Sequence, residues 1–248
     1  MYSETPIGIP FIELPEVEST NNYAMGLAHE AMAQHGTAVF TFTQTRGKGQ
    51  RNKTWESEAG KNLALSVIIE PKTLTLDDSF LLSMAIGVAS KNLLSGLTNT
   101  AIKLKWPNDL FISDRKAGGI LIENIIAGST WKYAICGIGI NVNQEEFGEL
   151  QNKAVSLKQI TGKELQPVAI AHELCTHLDY WYKQLTSDKK RVILEYRKSL
   201  YKVGEHVRLK QDTRSFEAII RGVNNKGQLI AEHGIEETYD VGQVEWLF

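Results

Sequence analysis

Apolar positions along this chain recur with two different periods, and the changes of period mark its elements. Residues 20–35, TNNYAMGLAHEAMAQH, have helical spacing behind Ser19 or Thr20, residue types that cap helix N-termini. GTAVFTFTQT (36–45) is rich in β-branched and aromatic residues and reads as a strand, as does KNLALSVIIE (61–70). Residues 76–97 return to helical spacing, opening on an acidic turn and closing on Ser-Gly. AIKLKW (101–106), GGILIENII (118–126) and WKYAICGIGINVN (131–143) are strand-like, and residues 167–185 and 189–201 read as helices. From Val203 the spacing tightens into short strands: HVRLKQ, SFEAIIRGV, GQLIAE, IEETYDV and VEWLF, with Asn224–Gly227 as a hairpin turn. The pattern predicts an α+β body over residues 1–200 and a small β-barrel over 201–248. There is no internal repeat and no low-complexity linker.

Composition changes this picture little. At 248 residues, with 42% hydrophobic and 23% charged positions, the chain is long enough for a sizeable core. A formal charge of -2 gives no general attraction to nucleic acid or to an anionic membrane, so any basic function is local. The N-terminus lacks the basic and apolar regions of a secretory signal, and no apolar run approaches the length of about 20 residues that spans a bilayer. Cys136 and Cys175 sit in apolar patterns and read as buried thiols, and the cytoplasm is the expected location.

Charge and glycine concentrate at a few strand ends. Residues 44–55, Gln-Thr-Arg-Gly-Lys-Gly-Gln-Arg-Asn-Lys-Thr-Trp, follow a strand. Their glycines let backbone approach a ligand, and Arg46, Lys48, Arg51 and Lys53 supply cations for phosphate or carboxylate. The spacing is not that of a Walker loop, and by composition alone a solvated surface loop explains the segment almost as well. At Lys105-Trp106-Pro107-Asn108-Asp109 the proline restricts its predecessor and sets a turn bearing an amide and a carboxylate. Lys116 follows seven residues after Asp109, within reach if the two strands form a hairpin, and Gly118 and Gly119 leave room beside it. As an exposed ion pair Asp109 and Lys116 would contribute little. Gly137-Ile138-Gly139-Ile140-Asn141 ends another strand with small residues, a pattern a β-bulge explains equally well.

Together these segments resemble one known family. Ser19-Thr20-Asn21, the Gly-Lys-Gly loop closing on Trp55, Lys105–Asp109, Lys116-Ala117-Gly118-Gly119-Ile120-Leu121 and Gly137–Asn141 stand in the order found in biotin protein ligases. The resemblance is close over residues 19–143 and looser through the β-rich C-terminal part. It implies a mixed sheet with packed helices, like that of class II aminoacyl-tRNA synthetases and biotin ligases, followed by a small SH3-like barrel. It also implies a reaction. Biotin and ATP give biotinyl-5′-adenylate and pyrophosphate, and the biotinyl group then passes to a lysine of a biotin carboxyl carrier domain in a biotin-dependent carboxylase.

The residues carry over as follows. Ser19, Thr20, Asn21, Gln44, Lys48, Gly49, Gln50, Lys116 and Gly118 match positions that hold biotin. Arg46, Lys48, Arg51, Trp55, Asn108, Asp109, Lys116, Asn141 and Arg221 match positions around ATP and the adenylate. Lys116 is the expected catalytic cation, assisted by Arg51, and Asp109 is the expected neighbour of Mg²⁺ on the phosphates. The loop departs from the family in one respect: Gln50 stands where an arginine is usual and Asn52 where a glycine is usual, so Arg51 is the candidate substitute. The helix-cap motif begins at Ser19, which leaves no room for the DNA-binding domain of some relatives, and neither DNA nor membrane binding is expected. The state is a monomer or homodimer. A lipoate ligase, the nearest rival, usually shows an Arg-Arg-x-Ser-Gly-Gly-Gly segment that is absent here, and a non-catalytic binding module would not need Lys116. His172 and His177 are five apart, not four as in a metalloprotease helix, and read as ordinary helix residues.

Overall fold

The computed structural model describes residues 5–247, without the side chain of Asn52. Met1–Glu4 and Phe248 lie outside the described residues, so the strand read over VEWLF is followed only to Leu247. Two sheets organise the chain. The first contains β1 (Phe11–Val17), β2 (Ala38–Gln44), β3 (Leu63–Ile69), β4 (Ile102–Lys105), β5 (Asp109–Ile112), β6 (Arg115–Ala127) and β7 (Thr130–Ile140), in the order β1-β2-β3-β7-β6-β5-β4. Only β1 and β2 pair in parallel, joined across α1 (Thr20–His29); every other neighbouring pair is antiparallel. This is the mixed sheet expected from the sequence.

Three local features differ from the sequence reading. β1 went unread because Pro15, Glu13 and Glu16 break its apolar pattern. As an edge strand it tolerates both the proline and the charges. α1 stops six residues short of position 35, since Ala31 turns left-handed at φ 57° and the chain swings toward Gly36. β5, read only as part of a turn, is a four-residue strand hydrogen-bonded to both β4 and β6.

Period-2 alternation assigns the two faces of this sheet. Leu65, Val67 and Ile69 of β3 and Cys136, Ile138 and Ile140 of β7 join the main core with α2 (Ser79–Thr98) and α4 (Pro167–Ser187). Val39, Ile68 and Ile135 face the other way and pack with Ala24 of α1. α3 (Leu157–Thr161) and α5 (Lys189–Ser199) complete the helical layer. The segment Leu76–Thr98 runs 23 residues and is long and apolar enough to reach across a bilayer, contrary to the expectation from the sequence. More than half of it is buried, and Leu82, Met84, Leu93 and Leu94 are fully enclosed, as in the core helix of a globular fold. Each such side chain stabilises the fold by roughly 1.5–3 kcal/mol relative to exposure.

The second sheet is antiparallel: β8 (His206–Gln211), β9 (Arg214–Val223), β10 (Leu229–His233), β11 (Ile235–Tyr239) and β12 (Glu245–Leu247), ordered β11-β10-β9-β8-β12. This arrangement is compatible with an SH3-like module. Asn224–Gly227 form the β9–β10 turn, where Asn224 Oδ1 accepts from the Lys226 and Gln228 amides and Gly227 supplies φ 85°. The two sheets meet at the β4–β5 hairpin. Trp106 Nε1 donates to Gly227 O at 2.8 Å, the Tyr201 amide to Leu104 O at 2.9 Å, and the Tyr201 hydroxyl to Asp114 at 2.5 Å. Trp106 is thereby tied to the β9–β10 turn, and β4 and the β5–β6 turn to Tyr201 ahead of the second sheet.

Candidate ligand-binding site

Strand register builds the site. Ala64, Gly139, Gly119, Asp109 and Lys105 lie directly opposite one another across β3, β7, β6, β5 and β4, so their side chains share one face. The next rung in that direction holds Ser66, Gly137 and Leu121. Small residues at five of these positions leave a trough on the α1 face, opposite the main core. The glycines are required by close approach: a Cβ at Gly139 would stand 2.6 Å from the Trp55 ring, and one at Gly137 would strike Asn21 Oδ1. The resulting cleft opens to solvent.

The first turn of α1 roofs one end. Ser19 caps the helix through the Asn22 amide, and Thr20 and Asn21 are buried against the trough. Gln44, at the end of β2, accepts from the Thr20 amide at 2.9 Å through Oε1. Ser66 Oγ lies 2.7 Å from Thr20 Oγ1 and 2.6 Å from Asn21 Oδ1, and Asn21 Nδ2 donates to Glu123 Oε2 at 2.8 Å. Leu65, Ile120, Leu121 and Ile138 add apolar wall. This end therefore offers oriented hydrogen bonds beside a greasy surface.

The other end is cationic. Lys116 Nζ stands 2.6 Å from Asp109 Oδ1, outside hydrogen-bonding angles, so the contact is an ion pair, and 5.9 Å from the Trp55 ring centre. The pairing across the β5–β6 hairpin is the one the seven-residue spacing suggested. Trp55 Nε1 is buried without a partner among the described residues, a donor presented to an incoming acceptor. The basic loop folds on itself: the Gly49 amide donates to Lys53 O, the Trp55 amide to Gly47 O, and Lys48 bridges to Thr54. It thereby places Lys48, Gly49 and Gln50 along the cleft, a more ordered arrangement than a solvated loop. Lys105 lies beside this cluster, its pKa lowered to about 8, first by burial, opposed by Asp109 and reinforced by Lys116 and Lys53.

Ser19, Thr20, Asn21, Gln44, Lys48, Gly49, Gln50, Trp55, Asn108 and Lys116 thus line one cleft, as the sequence suggested. Others stand apart. Gly118 points its missing side chain at Gly139 O and Leu110, and Gly119 occupies the cleft in its place. Asn141 is buried and ties the Lys116 carbonyl to Val155 O, so it supports the Lys116 strand from behind. Arg46 is exposed and pairs with Glu18 at 3.4 Å. Arg51, at φ 56°, lays its guanidinium against Gly242 in the turn between β11 and β12, and Arg221 pairs with Glu232 at 2.6 Å. Ser66 and Glu123 were missed: a lone serine in an apolar strand and a lone glutamate carry no motif, and only register brings them to Asn21.

The remaining sequence candidates are structural. Cys136 and Cys175 are free, buried thiols, both pushed up by burial, Cys175 to about 12. His172 stacks on Phe11 at 3.9 Å. Among the described residues no three His, Cys, Asp or Glu side chains gather to hold a metal ion. Asp109, the carboxylate expected near Mg²⁺, faces Lys116.

The chain is similar to known proteins in both sequence and fold. Residues 14–141 match the Biotin/lipoate A/B protein ligase family. The chain is 28% identical over 225 residues to a biotin–[acetyl-CoA-carboxylase] ligase of Paracoccus denitrificans, covering 88% of this chain and 92% of that one. It is also 28% identical over 229 residues to the bifunctional ligase/repressor BirA of Bacillus spizizenii, covering 90% of this chain and 70% of that protein. Among solved structures, the biotin protein ligase of Aquifex aeolicus in complex with biotin and ATP superposes with a TM-score of 0.80 at 26% identity, over 96% of this chain and 98% of that one.

Proposed function

Since the chain belongs to the biotin/lipoate A/B protein ligase family, we propose that it is a biotin protein ligase, joining biotin to ATP and then to a carrier lysine. The observation that carries this reading is the two-ended cleft: Ser19, Thr20, Asn21 and Gln44 at the polar, apolar-walled end, and Lys116 with Asp109 and Trp55 at the cationic end. The ureido ring and aliphatic chain of biotin suit the first end, and its carboxylate then points to Lys116. In the first half-reaction a carboxylate oxygen attacks the α-phosphorus of ATP, and the bond to the β-phosphate oxygen breaks to release pyrophosphate. Negative charge grows on the non-bridging oxygens, where Lys116 neutralises it; positioning supplies the remainder. In the second half-reaction the carrier amine attacks the acyl carbon and AMP departs.

The proposal extends to the rest of the molecule. Residues 1–200 form the biotin- and ATP-binding unit, and 201–248 form a module that packs against the Trp106 hairpin and the Arg51 loop. Mg²⁺ accompanies ATP, the location is cytoplasmic, and the carrier partner is a carboxyl carrier domain. This chain binds no operator DNA: its 27 basic and 29 acidic residues give no excess of positive charge, so salt-sensitive duplex binding would contradict the proposal.

ATP–pyrophosphate exchange with biotin, with lipoate and with neither, on wild type and Lys116→Ala, tests the reading. Biotin-dependent exchange that collapses in the variant is expected. Exchange driven by lipoate would make this a lipoate ligase, and none with either acid would leave only a binding module.

A further inference from the structure

We propose that Glu123, which lies outside the cleft wall, is a positioning residue that fixes the donor and acceptor pattern the cleft presents to its ligand. The inference rests on the biotin ligase reading for the ligand's identity, and on the hydrogen-bond chain alone for the rest.

A carboxylate only accepts. Glu123 Oε2, 2.8 Å from the Asn21 side-chain amide, therefore selects Nδ2 as the group facing it, because the flipped amide would set two oxygens against each other; the Leu121 carbonyl at 3.4 Å is a longer, weaker acceptor for the same Nδ2. Asn21 Oδ1 is thereby directed at Ser66 Oγ, 2.6 Å away, and it too can only accept. Ser66 has one proton and gives it to Asn21. Thr20 Oγ1 lies 2.7 Å from Ser66 Oγ and 3.2 Å from Gln44 Oε1, and its proton goes to the closer oxygen, since two oxygens that close without a hydrogen repel. With that proton committed, Thr20 shows only lone pairs to the cleft. Gln44 Oε1 is held by the Thr20 amide, so Gln44 keeps its Nε2 donor free. The wall thus presents an acceptor at Thr20 and a donor at Gln44. That pair complements an N–H and C=O on adjacent atoms, as in a cyclic urea.

The other oxygen of Glu123 faces Lys48 Nζ of the basic loop at 3.7 Å. Both side chains are partly exposed, so this contact is weak and the Asn21 bond carries the effect. Among the described residues no other cation pairs with Glu123, and its side chain does not line the cleft.

The test is Glu123→Gln, nearly the same shape but able to present either an oxygen or an N–H. The Asn21 side-chain ¹⁵N–¹H pair, assigned by its loss in Asn21→Ser, is followed in the ligand-free protein alongside pyrophosphate exchange. Glu123→Gln is expected to double or broaden the Asn21 pair. It should also raise KM for biotin about tenfold, equivalent to about 1.4 kcal/mol, while KM for ATP and kcat move less than twofold. Ser66→Ala breaks the same chain at its centre, so it should reproduce the biotin effect, and the double variant should be no worse than either single one. An unchanged Asn21 signal, equal rises in both KM values, or additive effects would overturn the inference. Failure of the wild type to exchange with biotin would sink the functional reading instead, leaving the Asn21 resonance to decide this one.

Discussion

Lys105 ends β4 with its ammonium 5.0 Å from the ring centre of Phe111 and 5.4 Å from that of Trp246. Burial lowers its pKa from 10.5 to about 8. Unfolding returns the ammonium to water, so between about pH 8 and 10.5 the unfolded chain binds more protons than the folded one. Stability contributed at this site therefore rises with pH across that window. Each pKa unit corresponds to about 1.4 kcal/mol, so holding Lys105 charged in place costs about 3 kcal/mol at pH 7.5. By pH 9.5 most of the folded population has shed the proton and the cost falls to about 1.5 kcal/mol. Lys105→Met keeps the aliphatic stem and removes the charge. Urea unfolding of both proteins at pH 7.5 and 9.5 should show the wild type gaining roughly 1.5–2 kcal/mol on the variant between the two. The comparison has to be made between the two proteins. The Cys136 and Cys175 thiols, held protonated by burial, lose stability as pH rises past their unfolded value of 9.0, but they do so equally in both chains. Parallel pH profiles for wild type and Lys105→Met would refute the desolvation argument.

Three further outcomes are expected. Gly139→Ala drives a methyl into the Trp55 ring and should weaken nucleotide binding about tenfold, read by tryptophan quenching; undiminished affinity would remove Trp55 from the nucleotide end. Arg51→Ala should speed escape of the acyl-adenylate in a single-turnover release assay, and an unchanged rate with intact exchange would show that Arg51 does not replace the usual loop arginine. Trp106→Phe deletes the indole donor to Gly227 O and leaves that carbonyl without its partner across the sheets, at a cost of about 1–2 kcal/mol in thermal unfolding. An unaltered midpoint would mean the two sheets hold together without that bond.

Most elements were legible because their signal is local. The long apolar repeat of α2, the β-branched runs of β2 and β3, and the Asn224–Gly227 turn each carry their own pattern over a few residues. β1 is legible only from outside: Pro15 argues against a strand until the sheet shows that it lies at an edge. The site divides the same way. Lys116 and Asp109 share one hairpin, so spacing alone brought them together, whereas Gly118 and Gly119 could be told apart only by the pleat. Two neighbours in sequence face opposite ways, and the rung through Gly139 and Asp109 assigns Gly119 to the cleft. The Arg221 contact with Glu232 was not legible either, because the β9–β10 pairing brings the two together and no pattern around Arg221 does.

Ser66 makes the general point. Within LALSVII a serine looks like a weakness in a buried strand, and glycines at 137 and 139 look like the same weakness in the next. Pairing converts these separate losses into one feature, since Ser66 opposes Gly137 and Ala64 opposes Gly139. The main core pays nothing for the hollow, because the alternate positions Leu65, Val67, Cys136 and Ile138 keep that face filled. A strand that is apolar on one face and small on the other is thus the sequence mark of a site on a sheet. It becomes readable once the partner strand is known, and Glu123 follows from it as the residue placed to orient what the small face receives.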